Sequence, residues 1–235
     1  MQLFKALQPI SVLSFDLDDT LYDNKPVIAA AEAAMLHSLA QHAPLTRGYD
    51  SDFWWQQRRL LAKATPEIRH DLGRWRLLGI EAGLVSLGLS QCEAGEIAEL
   101  AYTAFWQERT NIKIKPEVKA LLTALASRYQ LIAITNGNAC IQKMGLGDLF
   151  EFSLQAGPDG RMKPYADLFL TAASRLQAAP QHILHIGDSH RADVMGALNA
   201  GCQAAWLDHL QQPVTILPHL RLTELAQLAA LLDAS

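Results

Sequence analysis

The chain has 235 residues, half of them apolar and 19% charged, with a formal net charge of −4. That apolar content excludes disorder, because enough surface can be buried to offset the entropy of ordering, and the length suits a core domain with a smaller insert. The negative balance excludes a basic nucleic-acid footprint over the whole chain, and Cys92, Cys140 and Cys202 form no CxxC pair, which excludes zinc-ribbon and thiol-redox motifs.

The first residues lack the apolar core of a secretory leader. No run approaches the roughly 18–20 uncharged apolar residues of a membrane span. The expectation is a cytoplasmic protein that meets neither membrane nor nucleic acid, with buried or inert thiols.

Residues 11–15 are the first short apolar run, and its continuous apolarity suits a strand covered on both faces. Residues 24–111 then contain no convincing strand. Ile28, Glu32, Met35, Leu36 and Leu39 form a helical stripe with one polar slot, residues 75–87 form a second helix ending at Gly88, and Ile97, Leu100, Ala101, Ala104 and Phe105 a third. Pro116 suits a helix first turn, with a helix over 118–127. Strands are expected at 130–134, 152–156, 182–186 and 203–207. Helices carrying Leu168, Phe169, Ala172, Ala173 and Leu176, and then Val194, Met195, Ala197 and Leu198, lie between the later ones. A last helix covers 222–232. Strand–helix alternation predicts an α/β fold, a Rossmann-like parallel sheet with helices on both sides. The core domain would comprise 1–23 and 112–235, and an all-helical domain 24–111.

Chemistry concentrates at the strand ends. The first strand runs into Asp16-Leu17-Asp18-Asp19. Unpaired carboxylates cost several kcal/mol to bury, so three of them ask for a cation or an opening to solvent. In extended chain Asp16 and Asp18 project into the same space and Asp19 points away. Ligands of open parallel sheets bind beyond such strand ends. Gly187-Asp188 closes a second strand, where Asp188 could join Asp16 in a hard-oxygen magnesium site, with Asp193 orienting ligands from behind. Thr135 and Asn136 end a third strand before an expected helix, whose N-terminus would favour anions. Pro164 keeps Lys163 out of helical conformation and near a helix start, as a phosphate clamp.

This order of acids, hydroxyl, lysine and acids resembles the haloacid dehalogenase superfamily, and the helical insert falls where that family's C1-type caps occur. The resemblance implies strand order 5-4-1-2-3 and a magnesium-dependent phosphotransfer site. It implies Asp16 as nucleophile, forming an aspartyl-phosphate, and Asp18 as acid and then base. Thr135 and Lys163 would hold the phosphoryl oxygens. Mg2+ would sit on Asp16, the backbone carbonyl of Asp18, and Asp188. The stretches around Asp16–Asn24, Pro66–Ile68, His70-Asp71, Arg74–Arg76, Ala133–Ala139 and Gly145–Asp148 are similar to bacterial flavin-pathway phosphatases. That similarity implies 5-amino-6-(5-phospho-D-ribitylamino)uracil and FMN as substrates.

The helical insert is locally basic: Arg58, Arg59, Lys63, Arg69, Arg74 and Arg76 face only Glu67 and Asp71 over that segment. Such a segment could steer anions, and Arg74 or Trp75 could contact the heterocycle or ribityl chain. Against this stands the plainer reading that Trp54, Trp55 and Trp75 fill the cap core and the arginines face water. The partner expected is a small-molecule phosphate ester, met by a monomer or weak homo-oligomer. A nucleotidase or broad sugar-phosphate phosphatase is the near alternative. A dehalogenase and a non-turnover phospho-aspartate signalling or binding protein are the remote ones. Roles for His190 and Arg191 stay open.

Overall fold

The computed structural model describes residues 1–209 and 213–233. The fold is mixed α/β, built on a seven-stranded, mostly parallel sheet. Its strands are β1 (Gln2–Leu3), β2 (Val12–Phe15), β3 (Gln130–Thr135), β4 (Phe152–Gln155), β5 (Ile183–Gly187), β6 (Gln203–Leu207) and β7 (Leu220–Leu222). The order is β1-β7-β6-β5-β2-β3-β4. The five expected strands sit in the expected order, and only β1, pairing with β7, is antiparallel. β2 is central, between β3 and β5, and every residue in it is buried. The two added strands cover the β6 edge.

The chain divides into two compact units, residues 1–23 with 113–235 and residues 24–112. The second unit holds four helices: α1 (Asn24–His42), α2 (Ser51–Ala64), α3 (Leu72–Ser86) and α4 (Gln91–Arg109). α1 packs on α4, α4 on α3, and α3 on α2. Their shared core includes Met35, Leu39, Trp54, Ile80, Leu84, Ala98 and Phe105. Asp50 caps α2, Asp71 caps α3, and Ser90 with Glu93 closes a capping box on α4, each satisfying amides that a helix start leaves open. The sequence pattern missed α2, because its buried face is made of Trp54, Arg58 and Ala62 rather than aliphatic residues.

The first unit adds α5 (Pro116–Ala126), α6 (Asp167–Leu176), α7 (Gly196–Asn199) and α8 (Ala230–Asp233). Two expectations need correction. The helix proposed from 222 begins later: Leu220 and Leu222 are buried on either side of Arg221, a period-2 pattern that extends the sheet, and a 3₁₀ turn from Leu225 leads into α8. No helix follows β3. Residues 141–145 form turns, and Gly145, at φ 69°, ends the run in the left-handed region. Cys92 is exposed, whereas Cys202 is buried and its thiol is pushed up to about 12 by burial. Among the described residues no helix is long and apolar enough to cross a membrane.

Candidate active site

Strand pairing carries one residue past β2: the Asp16 amide donates to Ile186 O at 2.8 Å. This places the Asp16 carboxylate at the C-terminal edge of the sheet, between the ends of β3 and β5. Lys163, reaching in from the loop before α6, is 2% exposed. Its ammonium donates to Asp16 Oδ1 at 2.8 Å, Asp193 Oδ1 at 2.7 Å and Ile134 O at 2.6 Å. An ammonium has three donors, so all are spent inside the protein. Asn136 holds the lysine from behind: its Nδ2 donates to Lys163 O at 2.9 Å, and Lys163 N donates to its Oδ1 at 2.7 Å. The Asn136 side chain, expected to meet phosphate, here fixes the backbone of Lys163.

Thr135 Oγ1 accepts from Gly137 N at 2.9 Å. That leaves the hydroxyl proton for another acceptor. Beyond Asp16 the chain turns. Asp18 Oδ1 accepts from the Tyr22 hydroxyl. Asp19 takes φ 57°. The period-2 argument fails there because the backbone has left the extended region.

Asp188 follows β5, and its carbonyl accepts from the Trp206 indole at 2.9 Å. A wide π-helical turn, His190–Met195, carries Asp193 back over the strand end, a feature often found at functional sites. Gly187 makes this possible, since a Cβ there would overlap the Asp193 carboxylate. Asp193 Oδ2 accepts from Ser189 N at 2.9 Å. One carboxylate oxygen each from Asp16, Asp188 and Asp193 lies within 4.8 Å of the others. The Asp193 carboxylate, expected to orient ligands from behind, lies within this group with its oxygens bonded to Lys163, His185 and Ser189 N.

One participant was not anticipated. His185 lies inside β5, fully buried, with Nδ1 2.9 Å from Ser14 Oγ and Nε2 3.1 Å from Asp193 Oδ1. Burial and the Lys163 charge lower its imidazole to about 4, so it is neutral near pH 7. An ionised carboxylate only accepts. Nε2 therefore carries the proton, and Nδ1 accepts from the Ser14 hydroxyl. The available signal was a histidine and a serine inside otherwise apolar strands.

Burial raises the Asp16 carboxyl well above its usual value, against the pull of Lys163 and with the push of Asp193 and Asp18. Burial also acts to raise Asp193, but the Lys163 charge and the His185 bond outweigh it and hold that carboxyl far down. Lys163 is itself raised: Asp16 and Asp193 outweigh its own burial. Asp188 is pushed up to about 6 by burial and by Asp193 and Asp19. Three crowded carboxylates against one ammonium form a hard-oxygen donor set with surplus negative charge, which fits a divalent cation such as Mg2+.

The remaining candidates are His190, Arg191, Arg74 and Trp75. His190 packs edge-on against Trp206, with Nε2 2.9 Å from Ile216 O. Arg191 is exposed. In the helical unit Arg74 is exposed, whereas Trp75 is 8% exposed and donates its indole N–H to Arg58 O at 2.7 Å. Arg58 does not face water but is 7% exposed, while Trp55 is largely exposed, contrary to the plain division into core aromatics and surface arginines.

Residues 10–201 match the family model described as haloacid dehalogenase-like hydrolase. The chain belongs to that family. It is 41% identical, over 99% of its length and all of the relative's, to the 5-amino-6-(5-phospho-D-ribitylamino)uracil phosphatase YigB of Escherichia coli K12. The crystal structure of a 2-haloacid dehalogenase from Pseudomonas syringae pv. tomato DC3000 matches with TM-score 0.90 and 34% identity, over 95% of this chain and 98% of that one. The magnesium-bound hydrolase YfnB of Bacillus subtilis shares the fold, with TM-score 0.67 and 23% identity over 97% and 100% of the two chains. The protein is a phosphatase of the haloacid dehalogenase-like family.

Proposed function

We propose that this phosphatase hydrolyses phosphomonoesters through Asp16, with Mg2+, and that its substrates are 5-amino-6-(5-phospho-D-ribitylamino)uracil and FMN. The observation that carries the site chemistry is Asp16 at the end of the central strand, oriented by Lys163 at 2.8 Å, with Asp18 two residues on and held by Tyr22. The substrate assignment is supported by the full-length similarity to the E. coli enzyme.

Phosphate monoesters hydrolyse very slowly unaided, so several effects must combine. The Asp16 carboxylate attacks phosphorus, splitting the reaction into two easier steps through an aspartyl-phosphate. Asp18 protonates the leaving oxygen, sparing the expulsion of an alkoxide, and afterwards takes a proton from the attacking water. The Thr135 hydroxyl donates to a phosphoryl oxygen. Lys163 exchanges its bond to Asp16 for one to the phosphoryl group as Asp16 becomes esterified, which keeps its charge matched. Asn136 holds Lys163 in place during that exchange. Asp16, the carbonyl of Asp18, and Asp188 would hold Mg2+, whose chemistry is to neutralise phosphoryl charge; Asp193 supports Lys163.

The test is phosphate release with Mg2+ from 5-amino-6-(5-phospho-D-ribitylamino)uracil, FMN, nucleoside monophosphates, sugar phosphates and an aryl phosphate, with Asp16→Asn as the blank. Preference for the flavin-type esters, abolished by the substitution, is expected. Even turnover across the panel would remove the substrate assignment. Halide release from a 2-haloacid, with no Asp16-dependent phosphate release, would overturn the mechanism.

A further inference from the structure

Within the helical unit, a cavity of about 180 Å³ is lined by residues of α1, α2 and α3, among them Glu32, Trp54, Trp55, Arg58 and Arg76. That volume holds a molecule about the size of a benzene ring. Arg58 packs beside two adjoining indoles, its guanidinium carbon 4.4 Å from the Trp75 ring centre and 4.9 Å from that of Trp55, with the two ring centres 5.4 Å apart. Its aliphatic stem lies against α3 at Gly79, where a Cβ would overlap its Cγ. Arg58 is 7% exposed as a whole residue, yet its Nε has no hydrogen-bond partner. Beside it the buried Trp54 indole N–H is also unpartnered. Two carboxylates line the cavity, Glu32 and Asp52; Glu32, the polar slot in the α1 stripe, is 3.4 Å from Arg76 and so engaged with the other arginine.

Leaving a buried donor unsatisfied forfeits its hydration without replacement, at greater cost for a charged group. Cation–π attraction to the indoles offsets part of that for Arg58, but it supplies no acceptor for the Nε–H of the guanidinium fork. A planar fork matches a carboxylate or phosphate in two-point fashion. We propose that this cavity is an oxyanion site, taking a small molecule that presents a carboxylate or phosphate to Arg58 and Trp54, with any attached ring against the tryptophans. Burial and the neighbouring Arg76 charge lower the Arg58 guanidinium to about 9, partly countered by Glu32; an anion in the cavity supplies the missing counter-charge. This inference is independent of the phosphatase reading.

The test uses the full chain with its indole nitrogens labelled with ¹⁵N, titrated with benzoate, inorganic phosphate and the neutral isostere benzamide. Benzoate or phosphate should shift the Trp54 indole resonance saturably, the tighter of the two identifying the group recognised, and benzamide should not. Arg58→Gln should weaken that binding at least tenfold. Arg58→Lys, which keeps charge and stem but loses the fork, provides the same reading by calorimetry should the glutamine variant fold poorly. No saturable shift with either anion, equal binding of benzamide, or unchanged affinity in the arginine variants would overturn the proposal.

Discussion

Replacing His185 with glutamine should flatten the acid limb of the stability curve. The imidazole is held at about 4 against an ordinary 6.5 by burial and by Lys163. At about 1.4 kcal/mol per pH unit, that displacement is worth on the order of 3 kcal/mol. The sign follows from proton binding. Between pH 6.5 and 4 the unfolded chain holds a proton on this side chain and the folded chain does not, so acid favours unfolding. The contribution is fully present above pH 6.5 and is lost as the pH falls through 4. Glutamine keeps a donor toward Asp193 but cannot titrate, and it leaves the Ser14 hydroxyl without its acceptor, which costs about 1–2 kcal/mol at every pH. Thermal unfolding followed by circular dichroism at pH 7.5, 6.5, 5.5 and 4.5 reads the effect. At about 2–4 °C per kcal/mol for a chain of this size, the variant should begin several degrees lower, and the difference should shift by roughly 6–12 °C in its favour toward pH 4, closing or reversing the gap. Groups common to both chains cancel in the difference. Parallel curves over the whole range would refute the buried, neutral histidine.

Lys163→Met strands Asp16 and Asp193 without their shared cation; breaking such a buried pair costs about 3–5 kcal/mol, and adding Asp193→Asn should restore part of it in thermal melts. Gly187→Ala forces the Asp193 carboxylate aside and should lower kcat on the order of 10²-fold, as misplacement near reacting groups does. Asp18→Asn should slow alkyl esters by about 10²–10⁴-fold and aryl phosphates, which leave as stable phenolates, far less; equal losses measured by phosphate release would remove its role as acid. Asp188, pushed up to about 6, destabilises the metal-free fold as the pH rises through that value. Asp188→Asn should therefore raise Tm at pH 7.5 without Mg2+ and abolish the stabilisation that added Mg2+ gives the parent chain.

The strands that place the site were legible because buried parallel strands leave a simple mark. Leu13 and Phe15 in β2, and Ile183, Leu184 and Ile186 in β5, are apolar whichever face they present, since both faces are covered. Acids directly after such runs stand out because burial penalises them. The same logic hid His185 and Ser14. Two polar residues inside apolar strands carry no local sign that they satisfy each other across neighbouring strands. β7 was missed because three residues are too few to establish a period, and α2 because a buried arginine reads as a surface residue.

The sequence by itself determined the parallel α/β core, the helical insert and the identity of the acids, lysine and threonine at the strand ends, because each depends on neighbours within a few positions. Only the tertiary structure decided which of them meet. Lys163 reaches Asp16 across 147 positions and Asp193 across 30, and its three donors are consumed by groups from three elements. Asp193 joins the acid cluster because the chain turns over Gly187. Arg58 is buried because indoles from α2 and α3, and α3 itself at Gly79, pack against it. Hydrogen-bond saturation and desolvation depend on what arrives from distant segments, and these settle the charge states on which the proposed chemistry rests.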